Sequence, residues 1–418
     1  MKHNRTFLSA ISVFICAVMC VSFSGCGKTV MAVDLMEGLK KGSTATRAAD
    51  EKFADAGTAL ALKLFAEAQK DSGEGNLLIS PLSVWLALSM TANGASGETL
   101  AQMESLLGNG IALDELNEYL CTFRNSLCGD GTDTLKIANS IWFKASDEHP
   151  VNTAFLQKNA DYYGADAYSS KFDKSTVDDI NNWVSKNTDG MIEKLTDGID
   201  ANALMYIINA MAFDAEWSKP YDKQSISDGT FTDINGTKKQ VKMMSSIETR
   251  YIETDTAKGF LKNYKGGRYS FAALLPDESI PIGDFIASLD CGALKTAFEN
   301  EKSTTVNAFI PKFSYSYDTE LRRALQTLGM TDAFDENADF SGITGKKGDI
   351  YIDSVIHKTF ISVDELGTKA GAVTSVILKG TAMGPTDSVT VRLDRPFVYM
   401  IVDNETDIPI FIGAVMSI

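Results

Sequence analysis

Chemistry on a substrate needs a nucleophile, an acid–base group or a metal ligand, and this chain is sparing with all three. Its histidines are His3, His149 and His357. No Gly-x-Ser-x-Gly, His-Glu-x-x-His, Gly-x-x-x-x-Gly-Lys-Ser/Thr or Cys-x-x-Cys pattern occurs, so the local signatures of esterases, zinc peptidases, phosphate loops and paired-cysteine sites are missing. A Ser–His–Asp triad would have to meet in space around His149 or His357. A lone histidine in an apolar strand is more often a hydrogen-bonded structural residue, and His357 sits beside Val355, Ile356 and Phe360. The reading is therefore not an enzyme, with no metal and no cofactor.

The stretch with the most chemical content is Glu365 to Pro385. From Thr368, every second residue gives Thr368, Ala370, Ala372, Thr374, Val376 and Leu378, small and then apolar. The other phase, from Lys369 through Gly371 to Lys379, is mixed and charged. Alternating side chains face opposite sides of a strand, so this is a strand with one buryable face. Yet it runs into Lys379-Gly380-Thr381-Ala382-Met383-Gly384-Pro385, which reads as an exposed loop. The bland interpretation is an ordinary strand and turn. The sharper one is a segment that can serve as either loop or buried strand, as a switch requires.

Elements on either side must position that segment. Asp55 to Lys70 reads as an amphipathic helix, and Pro81 to Ala92 as a more buried one capped by Ser80. Helices are also expected over Ser175 to Lys194, interrupted at Gly190, and over Thr319 to Gly329. Strands are expected at Ile137–Lys144, Met205–Phe213, Tyr269–Leu275, Val306–Phe313, Phe397–Val402 and Pro409–Met416. Phe231 to Met244 reads as a hairpin around Asn235-Gly236. A strand-like run from Tyr351 to Asp364 leads into the switch segment. Helices crowd the first half and strands the second, which indicates α+β.

The 418 residues are 44% hydrophobic and 22% charged, enough for one large core or two ordinary ones. The formal charge of −16 makes the chain a poor nucleic-acid binder, since phosphate contacts need clustered Lys and Arg, and no nucleic-acid partner is expected. Lys2 and Arg5 precede an apolar run from Phe7 to Phe23, the pattern of an export signal. Phe23-Ser24-Gly25-Cys26 resembles a bacterial lipoprotein box, which would lipidate Cys26; Phe23 departs from the usual aliphatic residue, so plain secretion or an uncleaved anchor is the alternative. Residues 1–25 are expected to be leader, 26–50 a flexible tether, and 51–418 a single domain. Beyond the leader only Cys121, Cys128 and Cys291 remain, an odd number that argues for buried thiols over a disulfide framework.

Asn76 to Thr99, containing Ser80-Pro81 and Ser83, resembles the Ser-Pro helix of the serpin family. Ile180 to Ile192 resembles its helix across the main sheet, and Ile208-Asn209 through Trp217 to Pro220 its central strand. Ile310-Pro311-Lys312-Phe313, Leu328 to Phe334, Ala338 to Gly342, Val355 to Lys358 and Arg395 to Tyr399 follow in family order. Glu365 to Ala372 resembles the serpin hinge. The resemblance implies three β-sheets, eight or nine helices and an exposed reactive-centre loop at about 365–395. It also implies suicide inhibition of serine or cysteine proteases by a monomer, with a covalent acyl-enzyme as the product. The hinge would comprise Glu365, Gly367, Thr368, Ala370, Ala372 and Thr374. Family register places the scissile bond at Thr381-Ala382, with Met383 or Lys379 as alternatives; small residues there suit elastase-like or subtilisin-like proteases. Ser80, Ser83, Asn209 and His357 would form a polar latch under the sheet, with Trp217 at the top of the opening. Lys369 and Gly371 depart from the family's usual Glu and Ala. The resemblance leaves two places for the molecule, on the cell surface through Cys26 or free outside the cell. It also leaves a rival role, a non-inhibitory binding protein of the same fold.

Overall fold

Pro81–Ala92 has no polar face: every one of its residues is buried. Its start is fixed by the Ser80 side chain, which accepts from Ser83 N, and by Pro81, whose missing N–H costs nothing in a first turn. Glu51–Ser72, capped by Asp50, lays Phe53, Leu60, Leu64 and Phe65 against it. The computed structural model describes residues 32–128, 135–146, 150–368 and 388–418. Cys26, His149, Ala370, Ala372, Thr374, Lys379, Thr381, Ala382 and Met383 lie outside the described residues.

The strands form three hydrogen-bonded ladders. The largest runs Ser388–Arg392, Lys302–Pro311, Lys238–Thr254, Ala257–Asn263, Tyr269–Pro276, Phe397–Asp403, Pro409–Val415, Leu77–Ile79, with Ile226–Thr232 pairing on Lys238–Thr254. Tyr269–Pro276, Phe397–Asp403 and Pro409–Val415 are buried at every residue, which explains their unbroken apolar sequences. The other two ladders have four strands each. One is Val33–Asp34, Asp166–Ser170, Leu135–Lys144, Met205–Phe213; the other is Phe313–Glu320, Ile356–Val363, Gly367–Thr368, Ala215–Glu216. The chain passes from the first to the second at Asp214. Among the described residues, Met205–Phe213 and Ile356–Val363 share no ladder of their own.

The α+β class and three sheets match expectation, and the described residues hold ten α-helices, one above the expected range. Met205–Phe213 and Pro81–Ala92 begin and end where the sequence places them. Four expectations need correction. The crossing helix is Lys174–Asn187, because Asp189 and Gly190 take left-handed backbone (φ 50 and 76). Residues 313–320 form a strand whose tyrosines alternate, and helix resumes only at Arg322–Thr327. Cys121 is buried, but Cys128 is exposed at its helix end and Cys291 is half-buried. From residue 32, the expected tether is a docked strap. Val33 and Asp34 pair with Ser169 and Tyr168, Ala32 N donates to Asp179 Oδ2 at 3.0 Å, and Leu35, Met36 and Leu39 pack on the core. Those three apolar residues tie the segment to the core.

Candidate functional site

Two strands, Met205–Phe213 and Ile356–Val363, face each other across the place where the four-stranded ladders meet. The N-terminus of Pro81–Ala92 lies beneath both. Ser80 N donates to His357 Nε2 at 3.0 Å. Ser80 Oγ lies 3.0 Å from Met211 Sδ and 3.1 Å from Ile410 O. Ser83 Oγ donates to Asn209 Oδ1, and Asn209 Nδ2 donates to Asn139 Oδ1. The expected quartet is thus brought together, but as two halves. His357 is tied to Ser80 on one flank, and Asn209 to Ser83 on the other. Asn139 is an addition. It sits opposite Asn209 in register, and an asparagine inside an apolar strand was the signal available for it.

His357 is buried, and burial lowers its pKa to about 4. Since Nε2 accepts from a backbone amide, the ring is the neutral tautomer with its proton on Nδ1. A neutral polar cluster can exchange hydrogen-bond partners, which close-packed apolar side chains could not do without opening voids.

Above this cluster, the chain after Ile356–Val363 reverses sharply. Asp364 Oδ1 accepts from Leu366 N at 2.8 Å and Gly367 N at 3.2 Å, closing the turn. Three successive carbonyls are then caught by one short segment. Asp364 O takes the Trp217 indole N–H at 2.9 Å. Glu365 O takes Tyr221 N at 2.9 Å, and Leu366 O takes Trp217 N at 2.8 Å. Lys312 pairs with the Glu365 carboxylate and holds its pKa below the usual range. Under this clamp, buried Lys262 donates to Glu248 Oε1 at 2.8 Å and stands 4.4 Å from the Tyr221 ring centroid and 5.4 Å from that of Trp217. Burial pulls the Lys262 ammonium down, opposed by Glu248. Sequence reasoning placed Trp217 and Glu365 here but missed Lys262, Glu248 and the role of Lys312. Long-range pairs leave no local spacing to read.

Gly367 and Thr368 follow, already forming a strand between the two flanks. Thr368 sits opposite Val363 on one side and Ala215 on the other, antiparallel to both. Both residues are buried. Gly367, an expected hinge residue, has a steric reason to lack a side chain. A Cβ there would lie 1.9 Å from Ala215 O. Below Thr368 a cleft continues between the flanks, lined by Met211, Phe213, Ile361, Leu78, Phe411 and Ile192. Among the described residues, no group of three or more His, Cys, Asp or Glu is arranged to hold a metal.

The family model described as "Serpin (serine protease inhibitor)" matches residues 55–418. Leukocyte elastase inhibitor A of Mus musculus is 31% identical over 384 residues, covering 88% of this chain and all of that protein. The thermophilic serpin tengpin, solved in its native state, is 48% identical, with a TM-score of 0.87 over 93% of this chain and all of that one. The same relative in its latent state superposes less well, at a TM-score of 0.78 over 89% of this chain and all of that one.

Proposed function

Because this chain belongs to the serpin family, we propose that it is a suicide inhibitor of serine proteases, with elastase-like or subtilisin-like enzymes as its targets. The observation that carries this reading is the seated hinge. Thr368 opposes Val363 and Ala215. Each further loop residue steps one residue back along both flanks. Continuing that register sets Ala370 between Ile361 and Phe213, Ala372 between Thr359 and Met211, and Thr374 between His357 and Asn209. Those flank residues point inward: Ile361, Thr359, Met211 and His357 are buried, and Asn209 bonds Ser83. The small phase of the loop is thus the one that would meet the core, and its single midway hydroxyl would arrive at the polar latch. No Pro interrupts Thr368 to Gly384, as a central strand demands.

In the proposed cycle the protease serine attacks the Thr381 carbonyl carbon. The Ala382 amine leaves, and an ester joins Thr381 to the protease. The freed loop then enters the cleft. Thirteen residues separate Thr368 from Thr381, so at about 3.3 Å each the tethered protease travels roughly 40 Å before its ester is hydrolysed. Each new ladder hydrogen bond contributes about 0.5–1.5 kcal/mol, and burial of Val376 and Leu378 adds about 25 cal/mol per Å². Leu378, Thr381 and Ala382 suit pockets that accept small apolar groups, which is why elastase-like or subtilisin-like targets are preferred over trypsin-like ones at Lys379.

The test is to mix the chain lacking its leader with subtilisin, pancreatic elastase and trypsin. The expected products are an SDS-stable adduct with the first two and a released peptide beginning at Ala382. Digestion with no adduct to any of them would remove the inhibitory reading and leave the binding-protein role. We further propose export and attachment through lipidated Cys26. Cys26→Ser should move the protein from the membrane fraction to the medium; equal membrane retention would point to an uncleaved leader.

A further inference from the structure

The clamp around Asp364–Leu366 holds the base of the hinge, but a different residue reaches its tip. Tyr264 ends the Ala257–Asn263 strand, where its N–H donates to Tyr269 O and its carbonyl accepts from Gly267 N. Its ring is fully buried, stacked on Trp217 with centroids 4.5 Å apart at 11°, and edge-on to Phe213 at 5.1 Å. These contacts leave the phenol one orientation. Its Oη lies 2.5 Å from Thr368 Oγ1. Thr368 is the last described residue before the loop.

We infer that Tyr264 is a positioning residue of the inhibitor, whose hydroxyl keeps Thr368 seated as the first rung of the future strand. The inference rests on the inhibitory reading above. A strand that must enter between two others faces its largest barrier at the first rung, because ordering precedes the hydrogen bonds that repay it. Here that rung is in place before cleavage. Thr368 has one hydroxyl, and burial would leave it without a partner were Tyr264 absent. Burial also pushes the Tyr264 phenol well above its ordinary pKa, so its proton is available at every working pH. With the bond removed, the hinge spends part of its time unseated. Insertion after cleavage must then re-nucleate, while hydrolysis of the acyl-enzyme proceeds unslowed. The consequence is a changed partition between trapped protease and released, cleaved inhibitor.

Tyr264→Phe keeps the stack and removes the hydroxyl, and Thr368→Val keeps the shape and removes its partner. With subtilisin or pancreatic elastase as the probe, each variant should raise the moles of inhibitor consumed per mole of protease trapped by two- to tenfold. The double variant should be no worse than either single one, since both delete one bond, and Thr368→Ser should behave as wild type. A merely structural role for Tyr264 predicts a lower melting point with the partition unmoved. Hydrogen exchange over residues 361–368 of the uncut protein reads the seating without any protease; Tyr264→Phe should speed it two- to tenfold. Unchanged exchange in Tyr264→Phe would overturn the inference, as would single effects that multiply in the double variant. Faster exchange in a protein that never traps protease would leave the seating intact and remove the inhibitory reading instead.

Discussion

His357 couples the latch to pH. Folded, it is neutral down to about pH 4; its ordinary value is 6.5. Between those values the unfolded chain binds a proton that the folded one refuses. Stability therefore falls as pH drops from 6.5 to about 4 and levels off below, by about 3 kcal/mol in all. His357→Gln keeps an acceptor for Ser80 N and has nothing to titrate. Urea unfolding at a series of pH values should show this slope in wild type and lose it in the variant. An equal slope in both would place the titrating group elsewhere. Gly367 makes a second residue-level case. Its missing Cβ lets the hinge backbone lie against Ala215 O, and backbone cannot step aside as a flexible side chain can. Gly367→Ala should unseat the hinge and, on the proposed inhibitory function, turn the chain into a substrate. Gels of the subtilisin reaction should then show cleaved protein and little adduct, at least about tenfold less if the seat costs more than about 1.4 kcal/mol to lose. Wild-type adduct yield in that variant would mean the hinge works unseated.

Elements carry the register argument. The flanks are parallel to each other and offer facing edges, so one antiparallel strand can satisfy both. Side chains alternate, and a change at an inward position differs in kind from one beside it. Thr374→Arg would bring an uncompensated charge to the His357–Asn209 site and should halt insertion there, abolishing the SDS-stable adduct. Reversing Lys369, which belongs to the other phase, to Glu should change adduct yield by about twofold or less. Equal loss in both variants would show that the loop enters in another register. Much of this was readable beforehand. The small phase of Thr368 to Leu378 needs only period two, and Ser80-Pro81 announces its own helix start. What sequence could not supply was pairing at a distance. Nothing near Lys262 names Glu248, nothing near Tyr264 names Thr368, and Val33–Asp34 is too short a strand to show periodicity. The helix expected from Thr319 starts too early because the expected strand stops at Phe313 while the alternation Phe313, Tyr315, Tyr317 runs on, and Thr319 and Glu320 belong to the strand they end.

At the scale of the molecule, the two four-stranded ladders meet at Ala215–Glu216, which follows Met205–Phe213 in the chain and pairs in the second ladder. Along the cleft below, Met205–Phe213 and Ile356–Val363 face each other without pairing among the described residues. A sheet left in that condition is not at its lowest free energy if a strand of matching pattern is held just outside it. In the proposed cycle the uncut segment is tied at both ends, to Thr368 and to the Ser388–Arg392 strand, which pairs in parallel with Lys302–Pro311 in the nine-stranded ladder. Closing the cleft requires the chain between them to be longer or to be cut. A single nick should therefore stabilise this protein, the reverse of what nicking does to an ordinary domain. About ten new ladder bonds at about 1 kcal/mol each would raise the melting point by on the order of 10 °C or more. Brief exposure to a protease that cuts within 379–385, followed by calorimetry of the purified two-chain product, measures it. A melting point equal to or below that of the uncut chain would mean the cleft stays empty and the seated Thr368 leads nowhere.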